Sequence, residues 1–252
     1  MKTIIVLLAI CLTRAASLPQ QQERIIGGSV TNINTYPFAA ALLYSSSNNF
    51  RQVCGGTIIN NRSILSATHC WIRHLAANRH RIRVGSTRAN SGGSVHNVAQ
   101  LISHPHYNTW NHDNDVGLVR VTSAFRFGNS VRAGALIGAN VNIHDNTNVM
   151  AIGWGNTTPF GSPSEQLRHV QIRTVNQVTC QNAYGGSTIT PNMLCAGMSG
   201  RGSCFGDSGT GLVHGGSVVV GVTSFGRECA SARYPAVYAR VSRFIPWIQT
   251  NA

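Results

Sequence analysis

Short apolar stretches separated by Gly, Asn, Ser and Pro recur along most of the chain. The clearest of them hold four to six residues, a length typical of β-strands and too short for most helices. Many short strands joined by glycine-rich turns predict an all-β fold, built as barrels or as a sandwich. These stretches are residues 38–43, 56–59, 81–84, 149–152 and 218–222.

Only two segments have the pattern of a helix. Residues 174–184 form a short candidate, with Thr174 as its expected N-cap. A second candidate begins at Ser242, after which four large apolar side chains fall on one helical face. The pattern therefore predicts a β protein that ends in a helix.

The N-terminus has the pattern of a secretory signal peptide. A lysine near the start is followed by nine apolar residues, 4–12, and then by small residues at 15–17. Nine residues are too few to cross a bilayer, which needs about 20, and no later stretch is apolar enough. We therefore expect residues 1–17 to be a signal peptide and the product to be secreted and soluble, without a membrane partner. A buried N-terminal strand is the alternative.

The cysteine count agrees with export. Of seven cysteines, Cys11 lies in the expected signal peptide, which leaves six for three disulfide bonds. Six cysteines allow about 15 pairings, and their spacing does not choose among them. The chain has no Cys-x-x-Cys knuckle, no zinc-type histidine pair beside a base, and no acid between His69 and His112. We therefore expect neither zinc nor calcium.

The charge is strongly basic and is carried almost wholly by arginine. Residues 25–252 hold 17 arginines, no lysine and six acidic residues, a net charge of +11. The arginines are scattered singly, so we interpret them as a solubility feature and expect no nucleic-acid partner. Arginine keeps its proton beyond pH ~12, whereas lysine titrates near ~10.4. An arginine-only surface suggests work in an alkaline fluid such as a gut lumen, with compositional drift as the alternative.

Three short motifs could carry chemistry, although each is weak alone. His69 precedes a cysteine, Asp115 leads into an apolar strand, and Ser208 lies between glycines in residues 206–209. A histidine beside a cysteine is more often structural, and Asp-Ser-Gly clusters are common turns. Their meaning depends on the other motifs around them.

Eight motifs follow one another in a fixed order along the chain. They are Arg24-Ile25-Ile26-Gly27-Gly28, Tyr36-Pro37-Phe38, Cys54-Gly55-Gly56, Ala67-Thr68-His69-Cys70, Asn114-Asp115, Gly153-Trp154-Gly155, Gly206-Asp207-Ser208-Gly209 and Pro235-Ala236-Val237-Tyr238. Over residues 25–252 the set resembles the chymotrypsin/trypsin family of serine proteases, and the order His, Asp, Ser fits that family rather than subtilisin-like or α/β-hydrolase enzymes. In its overall residue pattern the chain is similar to digestive chymotrypsin-like enzymes of insect guts. The resemblance implies two six-stranded antiparallel β-barrels, residues 25–125 and 126–252, with a C-terminal helix and the active site between the barrels.

The resemblance assigns a role to each chemical motif. Ser208 is implied as the nucleophile, His69 as the general base that takes its proton, and Asp115 as the residue that orients His69. Only Asp113 and Asp115 are acids near the middle of the chain, and the strand-leading position favours Asp115. The backbone N–H groups of Gly206 and Ser208 are implied as the oxyanion hole.

The resemblance also implies activation by proteolysis. A trypsin-like protease would cut after Arg24, making residues 18–24 an activation peptide. The freed amino group of Ile25 would then pair with the Asp207 carboxylate. The implied disulfide pairs are Cys54–Cys70, Cys180–Cys195 and Cys204–Cys229.

The implied specificity pocket has no charge at its base. The position six residues before Ser208 is Gly202, where a trypsin carries an aspartate. An open, uncharged slot favours a large apolar side chain, so we expect chymotrypsin-like cleavage, with elastase-like or broad cleavage as the alternative. The other expected pocket residues are Ser203, Phe205, Ser224, Phe225, Gly226 and Ala236.

Two other classes of function compete with a protease. A non-catalytic homologue would usually lack a triad residue, and a basic polyanion-binding or antimicrobial protein would need clustered arginines. Three residues depart from the usual family pattern, namely Thr68, Thr210 and Phe225. We expect a monomer that acts on proteins or peptides, that can bind proteinaceous protease inhibitors, and that needs no cofactor.

Overall fold

The computed structural model describes residues 25–252, so the expected signal and activation peptides lie outside the described residues. A two-residue strand, β1 (Ser29–Val30), comes first. Six strands then close into an antiparallel barrel in the order β2-β3-β4-β7-β6-β5. They are β2 (Ala39–Tyr44), β3 (Arg51–Ile58), β4 (Ser63–Ser66), β5 (His80–Val84), β6 (Ser94–Ser103) and β7 (Gly117–Val121).

A second antiparallel barrel follows, so the architecture is the one that the resemblance implied. Its six strands run in the order β9-β12-β13-β14-β11-β10, and β9 closes the ring by pairing with β10. Strand β1 adds to β10, and the short β8 (Ala135–Leu136) runs parallel to β13. The barrel strands are β9 (Asn148–Gly153), β10 (Arg168–Val175), β11 (Met193–Gly197), β12 (Gly211–His214), β13 (Val218–Phe225) and β14 (Ala236–Arg240).

Two α-helices are present among the described residues, and the first begins later than expected. Helix α1 (Gln177–Tyr184) is capped by Asn176, whose side chain accepts from the next two free backbone N–H groups. The predicted cap, Thr174, lies instead in β10, where its hydroxyl donates to the His144 carbonyl. Helix α2 (Ile245–Asn251) ends the fold and follows a 3-10 turn that contains Ser242. None of the helices in residues 25–252 is long and apolar enough to cross a membrane.

Each barrel is filled by the inward-facing side chains of its strands. In β5, for example, His80, Ile82 and Val84 are buried, whereas Arg81 and Arg83 between them stay partly exposed. This period of two is the pattern of a strand with one face on a core. Three disulfide bonds join the pairs implied by the resemblance, namely Cys54–Cys70, Cys180–Cys195 and Cys204–Cys229.

Candidate active site

His69 lies in a 3-10 turn (Thr68–Cys70) that follows strand β4. The buried hydroxyl of Thr68 donates to the Val116 carbonyl at 2.7 Å, and the disulfide to Cys54 ties the turn to β3. Thr68, a departure from the family pattern, therefore fixes the turn against the segment that leads into β7. The His69 side chain remains 22% exposed.

His69 and Asp115 form a doubly hydrogen-bonded pair. Nδ1 of His69 lies 2.6 Å from Oδ2 of Asp115, and the His69 backbone N–H donates to Oδ1 at 2.9 Å. Ser224, on β13 of the other barrel, donates its hydroxyl to Oδ2. Burial raises the pKa of Asp115, but the hydrogen bonds from His69 and Ser224 outweigh burial and hold that pKa below its usual value. A charged Asp115 places a proton on Nδ1 of His69, which leaves the Nε2 lone pair as the free acceptor.

Asp113, the other acid considered for this role, has different partners. Its Oδ1 accepts from the Thr190 hydroxyl at 2.6 Å and from the Asn192 side chain at 3.3 Å. Both partners come from the second half of the chain. Asp113 therefore joins the loop before β7 to the second barrel, and only Asp115 reaches His69.

Ser208 lies in the loop before β12, and its position depends on glycines. Gly206 and Gly209 have φ angles of +92° and +81°, a region that side chains rarely adopt. The Gly55 backbone N–H donates to the Ser208 carbonyl at 2.8 Å, which ties the loop to β3. Ser208 and His69 line the same cleft. Within residues 25–252 no hydrogen bond joins the Ser208 Oγ to the His69 ring, a common situation before substrate binds.

The peptide unit before Gly206 has a defined orientation. The Phe205 carbonyl accepts from the Asn156 backbone N–H at 2.7 Å. The Gly206 carbonyl accepts from the Gln52 side chain at 2.8 Å. Because the peptide between Phe205 and Gly206 is trans, the Gly206 N–H points away from Asn156. No hydrogen bond of this N–H is found among residues 25–252.

Asp207 is fully buried and bonded to backbone amides. Its carboxylate accepts from the Gly155 N–H at 2.7 Å and from the Cys204 N–H at 2.9 Å. Burial raises the pKa of Asp207 to about 7. Ile25 is also fully buried, and the next residue, Ile26, forms a bridge with Gly202. The bridge places Ile26 against Gly202, the expected base of the pocket.

The cleft that holds His69 and Ser208 has a volume of about 670 Å³. Six of the seven expected pocket residues line it, all except Gly202, which is buried through its bridge to Ile26. Sequence reasoning missed Glu228, an exposed acid in the lining that accepts from the Ser231 hydroxyl at 2.9 Å. Its position next to Cys229 was the available signal, because the Cys204–Cys229 disulfide brings that segment to the pocket wall. The expected residues in the lining are Ser203, Phe205, Ser224, Phe225, Gly226 and Ala236.

Sequence reasoning also missed His112, whose ring lies beside the His69 ring with centroids 5.8 Å apart. Its Nδ1 is 2.9 Å from the Tyr107 hydroxyl, and its ring packs on Phe225 at 5.3 Å between centroids. Burial lowers the pKa of His112. No spacing rule relates residues 69 and 112, so only the fold could reveal this contact.

Comparison with known proteins places the chain in a well-populated group. A family model described as trypsin matches residues 25–248. Trypsin CFT-1 of Choristoneura fumiferana is 55% identical, and Trypsin, alkaline B of Manduca sexta is 50% identical, each over the whole of both chains. Achelase-1 of Lonomia achelous is 46% identical over 90% of this chain and all of its own length.

Proposed function

We propose that this chain, which belongs to the trypsin family of serine endopeptidases, is a secreted precursor whose activated form cleaves proteins through an acyl-enzyme at Ser208. The supporting observation is that the His69–Asp115 pair and Ser208 share one cleft. A charged, buried carboxylate on Nδ1 leaves Nε2 of His69 as a base on the cleft side. Function as a serine endopeptidase follows from the family.

In the proposed reaction, Nε2 of His69 accepts the proton of the Ser208 hydroxyl as Oγ bonds to the scissile carbonyl carbon. The imidazolium then donates that proton to the leaving amine, and the C–N bond breaks to give an acyl-enzyme. A water molecule repeats the sequence, losing a proton to His69, which returns it to Ser208 as the acyl bond breaks. Asp115 keeps its charge throughout and stabilises the imidazolium.

The developing negative charge on the carbonyl oxygen would be bound by the N–H groups of Gly206 and Ser208. Support comes from the Phe205 carbonyl, which is bonded to Asn156 and so turns the Gly206 N–H the other way. A donor that is already oriented costs no reorganisation during the reaction.

Activation would begin with cleavage between Arg24 and Ile25 by a protease that prefers arginine. The new ammonium group of Ile25 would pair with Asp207. Support comes from the burial of both residues and from the partners of the Asp207 carboxylate, which are backbone N–H groups and include no cation among the described residues; burial accordingly raises its pKa. Since a neighbouring cation favours the charged carboxylate, pairing would lower that pKa again.

Two observations bear on the specificity of cleavage, and they favour different substrates. The relatives are named trypsins, which favours cleavage after basic residues over the apolar preference expected from the sequence. The pocket of this chain lacks an acid at Gly202, and the Ser203 hydroxyl there is bonded to the Tyr238 hydroxyl at 2.8 Å. Among the lining residues Glu228 is the one acid, and it is exposed. We propose cleavage after large uncharged residues; recognition of basic residues by Glu228 is the second candidate.

A charge added at the base of the pocket is expected to reverse the preference. The activated parent should have a higher kcat/KM on Phe, Tyr and Leu peptides than on matched Arg peptides. Gly202→Asp should raise kcat/KM for the Arg peptide by about 100-fold, since a matched polar partner in a pocket discriminates strongly. The site can accept the change, because a Cβ on Gly202 would approach the Ala230 Cα no closer than 3.5 Å.

Gly202→Asn is the size-matched control and should give no such gain. A parent that prefers Arg, and loses this preference in Glu228→Gln, would reject the apolar proposal and establish the second candidate.

We propose an alkaline, digestive setting for the secreted enzyme. Residues 25–252 carry no lysine, so their positive charge persists above the pKa of lysine. The relatives include a protein named alkaline trypsin. A free α-amine titrates near ~7.7–8.0, and pairing with Asp207 would raise the value of Ile25. The ammonium keeps its proton below this raised pKa, where a charged Asp207 can pair with it, and the ion pair is lost as the pH rises through the raised pKa.

Activity is therefore expected to persist above about pH 9. The measurement is kcat/KM from about pH 6 to 11, with circular dichroism at each pH to separate unfolding from titration. An optimum near neutrality, with loss of activity above about pH 9 in a folded protein, would contradict the alkaline proposal.

A further inference from the structure

A second histidine, His112, lies next to His69 and packs on Phe225 of the cleft wall. The rings of His69 and His112 are nearly perpendicular, at 83°, with centroids 5.8 Å apart. Together with Asp115 they place three possible metal-ligand atoms within 4.8 Å of one another. Histidine and carboxylate are the ligand types that zinc prefers. The proposed reaction uses only the His69 imidazole and gives no role to His112.

The loop that carries His112 is held by its own hydrogen bonds. The Asn108 backbone N–H donates to the Asp113 carbonyl, and the Asn114 side chain donates to the His106 carbonyl, both at 2.9 Å. His112 itself has a φ angle of +58°. The backbone thus presents the ring at a fixed place beside His69, rather than on a free loop end.

Both imidazoles already have an outer partner on Nδ1. Asp115 occupies Nδ1 of His69, and the Tyr107 hydroxyl lies 2.9 Å from Nδ1 of His112. Metal-binding histidines usually donate their second ring N–H to a carboxylate, carbonyl or similar acceptor, which orients the ring and makes it a better ligand. When His112 donates from Nδ1 to the tyrosine oxygen, its Nε2 carries a lone pair, as Nε2 of His69 does.

We propose that Nε2 of His69 and Nε2 of His112 bind a zinc-type divalent ion, and that this ion reversibly inhibits the enzyme. Zinc–nitrogen bonds of about 2.0–2.1 Å in a tetrahedral site bring two nitrogens to roughly 3.4 Å, and ligand atoms of the two histidines already lie within 4.8 Å of each other. Water would complete the coordination. Asp115 acts as the outer carboxylate of His69.

Inhibition follows from the electron pair that the ion would occupy. Nε2 of His69 cannot accept the Ser208 proton while it is bonded to a metal, so the first step of acyl transfer stops. No covalent bond of the protein changes, and a chelator should restore activity. The other group near His69, Cys54 with Cys70, is a disulfide and has no thiolate to offer.

The test combines inhibition with direct binding. Zinc chloride is titrated into the activated enzyme in a non-chelating buffer, each rate is divided by the same variant's metal-free rate, and EDTA is then added. Calorimetry on Ser208→Ala measures zinc binding without any turnover, so the result is independent of the proposed substrate preference.

Three substitutions locate the site. His112→Asn is chosen because asparagine tolerates the positive φ angle, and it should abolish both inhibition and the one-to-one binding heat. Tyr107→Phe should weaken zinc affinity by about tenfold, because it removes the outer partner of His112. His214→Asn is the matched control at the end of β12, where the residue is partly exposed, and it should behave like the parent.

The proposal is supported by reversible zinc inhibition that is lost in His112→Asn, weaker in Tyr107→Phe and unchanged in His214→Asn. Absence of zinc binding by Ser208→Ala, or unchanged inhibition in both His112→Asn and Tyr107→Phe, overturns it. Inhibition that disappears in His214→Asn would place the metal elsewhere and also overturns it.

Discussion

Replacement of Ser208 by alanine is expected to lower kcat by about 10⁶-fold, the loss typical of removing the nucleophile of a triad. The methyl group cannot bond to the carbonyl carbon, so no acyl-enzyme forms. Binding and the oxyanion hole would still give about 10³–10⁴-fold acceleration over water. The measurement is kcat on a chromogenic amide substrate, with active-site titration of the parent.

The matched control is Ser217→Ala, at an exposed serine in the turn between β12 and β13. It should keep the parent's kcat. Amide hydrolysis at the parent rate by Ser208→Ala would refute the assignment of the nucleophile. A parent that cannot be titrated at all after cleavage at Arg24 would instead favour the non-catalytic homologue.

Substitution of Asp207 by asparagine should leave cleavage after Arg24 possible but remove most of the resulting activity. The carboxylate accepts from Gly155 and Cys204, so it holds both segments against the loop that carries Ser208. Asparagine could not compensate the buried ammonium that we propose for the activated Ile25. We expect kcat/KM to fall by about 10²–10³-fold, the cost of losing an oxyanion-hole donor.

Mass spectrometry must show the new Ile25 N-terminus in both proteins before the rates are compared. Asp145→Asn is the control for charge, since Asp145 is exposed and bonded only to the Asn176 side chain among the described residues. If cleaved Asp207→Asn were as active as the parent, the proposed activation pair would be wrong. An uncleaved Asp207→Asn would be inactive with or without the pair, so only the cleaved protein enters the comparison.

Much of the fold was predictable because strand periodicity is a local property. The stretch at 38–43 became β2, and the stretch at 218–222 lies within β13. The cap of helix α1 was placed wrongly because Thr174 and Asn176 are both good capping residues. The choice between them depends on β10 pairing with β11, where Thr174 opposes Ala196. Pairing between distant strands cannot be deduced from the few residues around a cap.

In the candidate site, too, residues in local motifs were predictable and residues placed by long-range contacts were not. His69, Asp115 and Ser208 were identifiable because each lies in a short motif whose order matches a family. His112 and Glu228 have no such motif; a loop brings His112 to His69, and a disulfide brings Glu228 to the cleft wall. Residues that shape a site without belonging to a motif therefore need coordinates.

The bonds from Asp113 to Thr190 and Asn192 bear on how such enzymes can be recombined. These hydrogen bonds hold the loop before β7 against the second half of the chain. The loop therefore cannot be transferred alone to another protein. A graft of residues 104–116 into another scaffold would need both partners beside it, or His69 would lose the alignment of its aspartate. Exchange of whole barrels between relatives meets the same requirement, which makes this small polar contact a compatibility test for chimeras.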